Sequence, residues 1–265
     1  MKTISAPHVI GVGLKMYLDV DATLQWAHRV KEIVASHPAV ASGAVEVFVL
    51  PSFPMIRDMV QIFSGSGVGV GAQNFSNHDE GPYTGEVSPL LLKQIGCEYA
   101  EVGHFERRSN FNEDEALISK KVSSAFRNDL IPVICIGEYE ELDPEETSSE
   151  TIRQLRSSLS NSGRFLADSP VVVAYEPSWA IGGVAPASAQ HINAVCQAIR
   201  DELIQMGAKE FWVIYGGSAG PGLYSSISNS VDGLFLGRLA HDPESLSRVL
   251  DEVWLEERKQ KASNS

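Results

Sequence analysis

The chain has 265 residues, a formal net charge of −13 and 43% hydrophobic residues. This composition is typical of a soluble globular protein and excludes disordered, collagen-like and disulfide-scaffold classes. The acidic charge makes nucleic acid and anionic membranes poor partners, and no apolar run approaches the roughly 18 residues of a transmembrane helix.

Residues 1–7 carry one lysine and no apolar segment, so we expect no signal peptide. The three cysteines, Cys97, Cys135 and Cys196, are too few for a disulfide framework, and no pair has the spacing of metal ligands. A reducing cytoplasm is therefore the expected location.

Eight short apolar segments predict β-strands in chain order. They cover residues 8–14, 45–50, 68–72, 99–103, 132–136, 171–175, 211–215 and 233–237. Periodic apolar residues between them predict helices over residues 22–33, 114–126 and 187–206, and a further helix that begins at Ser88. The polar segment 73–89 is the exception among the spacers and is predicted to be a long loop before that helix.

Apolar strands that alternate with amphipathic helices predict a parallel sheet covered by helices on its outside. Eight such units without a linker favour an α/β fold, a single closed (β/α)₈ barrel over residues 1–265. A doubly wound open sheet is the alternative, but no G-x-G-x-x-G follows the first strand. The charged run 138–146 is expected to be a solvated helix face or loop, and residues 259–265 a frayed tail.

Barrels of this type carry their chemistry where the strands end and in the loops that follow. Polar groups or glycines follow six of the predicted strands: Lys15, His104, Glu138, Glu176, Ser218 and Gly237 with Arg238. We expect these groups to meet at one rim of the barrel.

Seven segments, in order between Gly11 and Asp242, resemble the triosephosphate isomerase family. They are Leu-Lys-Met at 14–16, Gly-Ala-Gln-Asn at 71–74, Tyr-Thr-Gly-Glu-Val-Ser-Pro at 83–89, Glu-Val-Gly-His-Phe-Glu-Arg-Arg at 101–108, Cys-Ile-Gly-Glu at 135–138, Ala-Tyr-Glu-Pro-Ser-Trp-Ala-Ile-Gly at 174–182 and Tyr-Gly-Gly-Ser at 215–218. The resemblance implies a barrel enzyme that moves a proton between two carbons of a short sugar phosphate through an enediolate.

The same resemblance assigns roles to single residues. Glu176 would be the base and His104 a neutral electrophile, a pairing that is a standard example of tuned acid–base chemistry in this family. Lys15 would offset negative charge, and Glu106 would hold Lys15 in place. The substrate and phosphate ligands would be Lys15, Gly182, Ser218, Gly237 and Arg238, although Arg238 could instead turn away into an ion pair.

The family resemblance also implies that no metal ion or organic cofactor is needed. Loop 73–89 would project into a second subunit with Thr84 at its tip, so a homodimer is expected. Cys135 and Glu138 are expected to serve packing and support, and Arg107 and Arg108 to make structural ion pairs.

Four departures from the family pattern lie near the ligand site. Gly13 replaces an asparagine two residues before the lysine, Phe105 replaces the serine after the histidine, and Arg238 replaces the second of two glycines. The lid also differs, with Gly-Val-Ala at 183–185 in place of a polar stretch that ends in lysine.

These departures bear on the substrate more than on the reaction. The expected activity is aldose–ketose isomerisation of glyceraldehyde 3-phosphate and dihydroxyacetone phosphate. Because Gly13 should enlarge the cavity, a four-carbon ketose phosphate of the erythrulose phosphate type is the alternative. A barrel that binds a sugar phosphate without turning it over is a third possibility.

Overall fold

The computed structural model describes residues 3–183 and 185–263, and within them eight parallel strands close into a barrel. The strands are β1 (His8–Gly13), β2 (Val45–Leu50), β3 (Val68–Ala72), β4 (Tyr99–Val102), β5 (Ile131–Ile136), β6 (Val171–Tyr175), β7 (Phe211–Tyr215) and β8 (Gly233–Leu236). Each strand pairs with its neighbours in the chain, and β8 closes the ring by pairing with β1, where Val9 lies opposite Gly233. The predicted (β/α)₈ barrel is confirmed, and the open doubly wound sheet is excluded.

Helices cover the outside of the barrel. They are α1 (Val20–Ser36), α2 (Pro38–Ala41), α3 (Ile56–Phe63), α4 (Pro89–Gln94), α5 (Phe105–Phe111), α6 (Glu115–Arg127), α7 (Pro144–Leu159), α8 (Gly163–Leu166), α9 (Ala189–Gln205), α10 (Tyr224–Ile227) and α11 (Pro243–Ser263). Short 3₁₀ turns follow β2, β6 and β8 at Phe53–Met55, Ser178–Ala180 and Arg238–His241. The helices bury one apolar stripe against the strands, as an amphipathic pattern requires.

Two apolar layers form the core. One lies between the strands and the helices and contains alternate strand residues such as Ala100 and Val102 of β4. The other fills the inside of the barrel, where Phe48 stacks on Tyr99 with ring centroids 4.5 Å apart. The interior below the rim is therefore packed, and a ligand can enter only at the ends of the strands.

The predicted element ends differ from the structure by at most three residues. Three strands end one residue earlier than predicted, because the backbone leaves the extended conformation there. Gly103 has φ +75 after β4, Lys15 has φ 51 after β1, and Gly237 has ψ −129 after β8. The helix predicted to begin at Ser88 begins at Pro89, since the Ser88 side chain caps it by accepting a hydrogen bond from the Leu91 N–H.

The charged run 138–146 is exposed or half-exposed from Tyr139 onward, as predicted. Its first residue, Glu138, is only 1% exposed and accepts hydrogen bonds from Trp179 and Tyr175, which agrees with the packing and support role expected of it. At the C-terminus α11 continues to Ser263, and Lys259 and Lys261 pair with glutamates about one turn earlier. Fraying of residues 259–265 stays a prediction. Residues 264 and 265 lie outside the described residues.

Over the two described ranges, no helix combines the length and the apolar character needed to cross a bilayer.

Candidate active site

A cavity of about 920 Å³ opens at the carboxyl ends of the strands. Its lining includes all of the predicted catalytic and ligand-binding residues: Lys15, His104, Glu106, Glu176, Gly182, Ser218, Gly237 and Arg238. Of the described residues predicted for the site or its rim, Thr84 lies outside this lining on the exposed loop 73–89, and Glu138 is buried and also outside it. The closed barrel thus brings together side chains that are up to 223 residues apart, from Lys15 to Arg238.

Glu176 and His104 face each other in this cavity. His104 Nε2 lies 3.7 Å from Glu176 Oε2. At the start of α5, His104 Nδ1 accepts a hydrogen bond from the Glu106 backbone N–H at 3.3 Å. Because Nδ1 is an acceptor, we assign the ring proton to Nε2, the nitrogen nearer Glu176. A substrate oxygen bound between the two groups could therefore accept a hydrogen bond from His104.

The environment of Glu176 makes it a suitable base. The residue is 5% exposed, and its Oε2 has no hydrogen-bond partner among the described residues. Burial raises the pKa of this carboxyl group, which makes its ionised form a better proton acceptor. Glycines leave room for it, since a Cβ at Gly216 would lie 2.8 Å from the Glu176 Cγ and a Cβ at Gly137 would lie 2.1 Å from its carbonyl oxygen.

Lys15 is held in place from two directions. Its Nζ donates to Glu106 Oε1 at 2.7 Å, so the contact expected between these two residues is present. Its carbonyl oxygen accepts hydrogen bonds from Ser52 Oγ and Gln73 Nε2, both at 2.9 Å. These bonds stabilise the left-handed backbone of Lys15, which costs free energy in a residue other than glycine. Phe105 packs beside the pair, with its ring centre 5.5 Å from the ammonium.

The loops after β6, β7 and β8 meet at the other side of the cavity. Ser218, whose φ is 55, donates from Oγ to the Ala180 carbonyl at 2.6 Å, which ties the loop after β7 to the lid. A Cβ at Gly182 would lie 3.5 Å from Arg238 Nη2, and nothing lies within 4 Å of the position of a Cβ at Gly237. The open space beside Gly237 could admit an anion to the backbone.

Arg238 is exposed, and in the described ranges no acidic side chain forms an ion pair with it. The sequence left two alternatives for Arg238, a phosphate contact or an ion pair. The described structure contains no such ion pair. The guanidinium lines the cavity and is available to an anionic ligand.

The lid that follows β6 is attached to buried groups on neighbouring strands. Glu138 Oε1 accepts hydrogen bonds from Trp179 Nε1 at 2.7 Å and from the Tyr175 hydroxyl at 3.1 Å. At the far end of the lid, the Ala187 N–H donates to the Tyr215 hydroxyl at 3.0 Å. The lid therefore has defined anchors at both ends; its residue Val184 lies outside the described residues.

Two arginines near the site make ion pairs with acidic side chains, as predicted, and Arg107 also lines the cavity. Arg107 Nε contacts Glu113 at 2.8 Å, and Arg108 Nη1 contacts Glu115 at 2.7 Å.

Burial raises the pKa of the Cys135 thiol, so this cysteine is a poor nucleophile and serves packing.

Sequence reasoning missed Glu101 as a residue of the cavity. It lies on the inner face of β4, lines the cavity and is 7% exposed. Burial raises its pKa to about 7. The available signal was a carboxylate within a strand whose other residues, Tyr99, Ala100 and Val102, are apolar and buried.

Among the residues that the structure describes, no group of three or more histidine, cysteine, aspartate or glutamate side chains is arranged to hold a metal ion.

Comparison with known proteins agrees with this geometry. The sequence profile of the triosephosphate isomerase family matches residues 8–253. A protein of Pectobacterium atrosepticum named L-erythrulose-1-phosphate isomerase is 43% identical over 246 residues, which cover 92% of this chain and 95% of that protein. A triosephosphate isomerase of Mycolicibacterium vanbaalenii is 40% identical, over 83% of this chain and 87% of the relative. A Brucella melitensis L-erythrulose-1-phosphate isomerase is 36% identical, over 91% and 94%.

These matches extend over nearly the whole barrel and include the strands and loops that form the cavity. The relatives named here are isomerases of short sugar phosphates, and their names include both a three-carbon and a four-carbon activity. The chain therefore belongs to the triosephosphate isomerase family and is a sugar-phosphate isomerase.

Proposed function

We propose that this chain isomerises a four-carbon ketose phosphate, L-erythrulose 1-phosphate, by proton transfer through an enediolate. The observation that carries the reaction type is the pair of Glu176 and His104, whose facing atoms lie 3.7 Å apart in one cavity. The carboxylate has an unpartnered oxygen among the described residues, and the proton of the imidazole is assigned to the facing nitrogen.

In the proposed reaction Glu176 takes a proton from the carbon beside the carbonyl. As the carbon–hydrogen electrons move into the new double bond, negative charge develops on the carbonyl oxygen. The Nε2–H of His104 and the ammonium of Lys15 stabilise that charge. His104 gives its Nε2 proton to the former carbonyl oxygen and takes the hydroxyl proton of the carbon that lost its hydrogen. Glu176 returns its proton to the other carbon, and the carbonyl re-forms on the carbon that lost its hydrogen.

The position of the phosphate fixes which carbons react. In L-erythrulose 1-phosphate the carbonyl is at C2, and C3 is the neighbour that carries both a hydrogen and a hydroxyl group. The proton therefore moves from C3 to C2, and the product is a second ketose phosphate with its carbonyl at C3. In dihydroxyacetone phosphate the corresponding carbon is terminal, so the same transfer gives an aldose.

The phosphate would lie on the side of the cavity formed by the loops after β6, β7 and β8. Gly182, Ser218 and Gly237 line this side, and helix and loop N–H groups of such loops commonly hold phosphate in barrels. Arg238 adds a guanidinium that fits two phosphate oxygens at once, and Lys15 adds a second cation. This assignment of binding residues rests on their geometry and on the family.

Two observations favour the four-carbon substrate. Gly13 leaves free volume on the wall of the cavity, where a Cβ would only touch the Phe235 ring at 3.5 Å. A protein named L-erythrulose-1-phosphate isomerase shares 43% identity over 92% of the chain. An additional hydroxymethyl group on the reacting carbon needs this kind of extra space.

The triose phosphates are the second candidate. A relative named triosephosphate isomerase is 40% identical over 83% of the chain, and Lys15, His104 and Glu176 do not by themselves distinguish three carbons from four. The departures at Gly13, Phe105 and Arg238 would in that case be repacking without effect on substrate choice.

We also propose that the active form is a homodimer. Loop 73–89 carries the exposed Thr84 and Tyr83, and the rim around Lys15 exposes Met16 to 91% and Tyr17 to 58%. Apolar side chains that are exposed beside an active site favour burial by a partner. In such a dimer the loop of one subunit would cover the Lys15 region of the other.

A cytoplasmic location is part of the same proposal. All three cysteines are free and buried, which fits a reducing compartment better than an oxidising one.

The decisive experiment compares kcat/KM for L-erythrulose 1-phosphate, dihydroxyacetone phosphate and glyceraldehyde 3-phosphate under one set of conditions. We expect the four-carbon substrate to be preferred, and we expect product formed in D₂O to carry solvent deuterium at C2. Rapid turnover of the triose phosphates without turnover of the tetrulose phosphate would establish the second candidate instead.

A substitution at Gly13 tests the substrate assignment within the same assay. Gly13→Asn refills the cavity and should lower kcat/KM for the four-carbon substrate more than for the triose phosphates. The ratio of the two kcat/KM values should change by about 10- to 200-fold, the usual effect of one extra or missing methylene group in a pocket. Gly163→Ala, in a position with open space around the Cβ and far from the cavity, is the control.

A further inference from the structure

Glu101 is a carboxyl group on the inner face of the barrel. Side chains of β4 alternate between the two core layers: Tyr99 lies inside the barrel, whereas Ala100 and Val102 pack under the helices. Glu101 therefore points inward. It forms part of the cavity wall together with Gly13, at the level where the packed interior ends.

Within the described residues the carboxyl group of Glu101 has one hydrogen-bond partner, and it is a weak one. Its partner is the Cys135 thiol, with Sγ 3.7 Å from Glu101 Oε1, and a thiol is a weak donor. None of the ion pairs formed within the described ranges includes Glu101. Buried carboxyl groups are normally paired or fully hydrogen-bonded, so a carboxyl group left with one weak donor has capacity for a ligand.

The topology places Glu101 away from the phosphate side. In a closed ring of eight strands in sequence order, β4 lies across the barrel from β8. Gly237 and Arg238, which follow β8, would hold the phosphate, while His104 and Glu176 would contact the reacting carbons. A substrate that starts at β8 and passes between these two groups ends toward β4.

We infer that Glu101 binds the terminal hydroxymethyl group of a four-carbon ketose phosphate and thereby selects four-carbon over three-carbon substrates. This inference rests on the proposed function and assigns a specificity-determining residue to it. In L-erythrulose 1-phosphate the hydroxymethyl group is C4, attached to the reacting carbon farther from the phosphate. Its hydroxyl group donates to the carboxylate of Glu101, or accepts from it when the carboxyl group is protonated.

A three-carbon substrate has only hydrogen at that position. Glu101 would then stay buried without its ligand partner, and its charge would oppose the negative charge that develops on the enediolate. The same residue therefore favours the longer substrate and disfavours the shorter one.

Two variants test the inference. Glu101→Leu removes the hydrogen bond at similar volume, and Glu101→Gln removes the charge while keeping a hydrogen-bonding group. At pH 8, above the pKa of about 7 of Glu101, we expect kcat/KM of Glu101→Leu on L-erythrulose 1-phosphate to fall roughly 10- to 150-fold, the effect of a hydrogen bond to a charged group. Turnover of dihydroxyacetone phosphate should stay within a factor of a few or rise. For Glu101→Gln we expect a smaller loss.

Binding without turnover gives a second measurement. Erythritol 4-phosphate and glycerol 3-phosphate lack a carbonyl group and cannot be enolised, so their inhibition constants report binding alone. Glu101→Leu should weaken the four-carbon inhibitor and not the three-carbon inhibitor. Glu202→Leu is the control: Glu202 is a buried carboxylate on α9 that pairs with Arg156, and its loss should not change the ratio of the two constants.

The outcomes separate the inference from the proposed function. If the wild type does not turn over the tetrulose phosphate, the proposed function fails. If the wild type prefers it and both Glu101 variants keep that preference and the ratio of inhibition constants, the inference fails and the function stands. An equal loss of kcat/KM on the three-carbon and the four-carbon substrate would mean that Glu101 acts through Glu176. That result would also overturn the inference that Glu101 selects the substrate.

Discussion

Two buried carboxyl groups of this cavity, Glu176 and Glu101, have properties set by their surroundings. Burial raises the pKa of both, because a low-dielectric environment disfavours the charged form. His104 opposes that effect in both cases, since it favours the ionised carboxylate. Glu176 combines this desolvation with an unpartnered oxygen, a state that is costly for folding and useful for taking a proton from carbon.

The position of the Glu176 carboxylate can be tested by shortening its side chain. Glu176→Asp withdraws the carboxylate by about one methylene, and a misplacement of this size costs on the order of 100-fold in rate. We expect kcat to fall by at least that factor, with an unchanged circular dichroism spectrum. Glu202→Asp, at a buried carboxylate outside the cavity, serves as the control. Activity of Glu176→Asp within a factor of a few of wild type would remove Glu176 as the base.

The raised pKa of Glu101 predicts a pH-dependent stability. In the folded chain this carboxyl group stays protonated up to about pH 7, whereas its ordinary value is 4.5. Stability is therefore lost as pH rises through this interval, because the unfolded chain releases the proton first. Below pH 4 both states bind the proton and the group contributes no penalty.

Replacing the group by a neutral amide should remove this loss. We expect the unfolding free energy of Glu101→Gln to exceed that of wild type by about 3 kcal/mol at pH 8 and to approach it at pH 4. Urea denaturation at both pH values measures the difference. A difference that is the same at pH 4 and pH 8 would contradict the assigned pKa.

At the scale of elements, glycines after the strands decide how closely the loops approach the base. Gly216 follows β7, and its missing side chain leaves room for Glu176, to which a Cβ would come within 2.8 Å. The lid is fastened to Glu138 by Trp179 and to Tyr215 by the Ala187 N–H. The loops after β5, β6 and β7 therefore form one hydrogen-bonded unit around the base.

Gly216→Ala tests whether this spacing matters. The added methyl group must push the Glu176 side chain from its position, so we expect kcat to fall on the order of 100-fold, while the barrel keeps its fold. In Gly163→Ala a Cβ meets nothing within 4 Å, so this control should keep wild-type activity. Full activity of Gly216→Ala would mean that Glu176 has room to move without cost.

The elements and the site differ in how far the sequence could predict them. Apolar strands such as β6 were predictable because their pattern is local, and their ends matched to within one residue. The lining of the cavity followed from the family motifs. The support role of Glu138 was predictable from its motif, but its partner Trp179, 41 residues away in the chain, was not. The place of Glu101 in the cavity was not predictable either, because no local pattern marks it. A carboxylate in a sequence gives no sign of whether the fold will exclude water from it.

For the whole molecule, a net charge of −13 opposes the approach of an anionic substrate. Screening limits that repulsion to roughly 8–10 Å at physiological ionic strength. Within this distance the local potential depends on the charged groups that line the cavity: the cations Lys15, Arg107 and Arg238 and the carboxyl groups of Glu101, Glu106 and Glu176. Affinity for a phosphate is therefore a property of the cavity and not of the overall charge.

The proposed dimer gives the last prediction. Replacing Tyr83, Thr84 and Gly85 by a short linker should yield monomers with weak activity, because the Lys15 region would lose its cover from the partner while keeping every catalytic side chain. Analytical ultracentrifugation and kcat/KM are measured together. The same linker in the turn 64–66, of which Ser64 and Gly65 are exposed and which precedes β3 at the opposite end of the barrel, is the control and should change neither. An unchanged assembly would show that this loop does not hold the subunits together, and monomers with full activity would show that the site is complete within one chain.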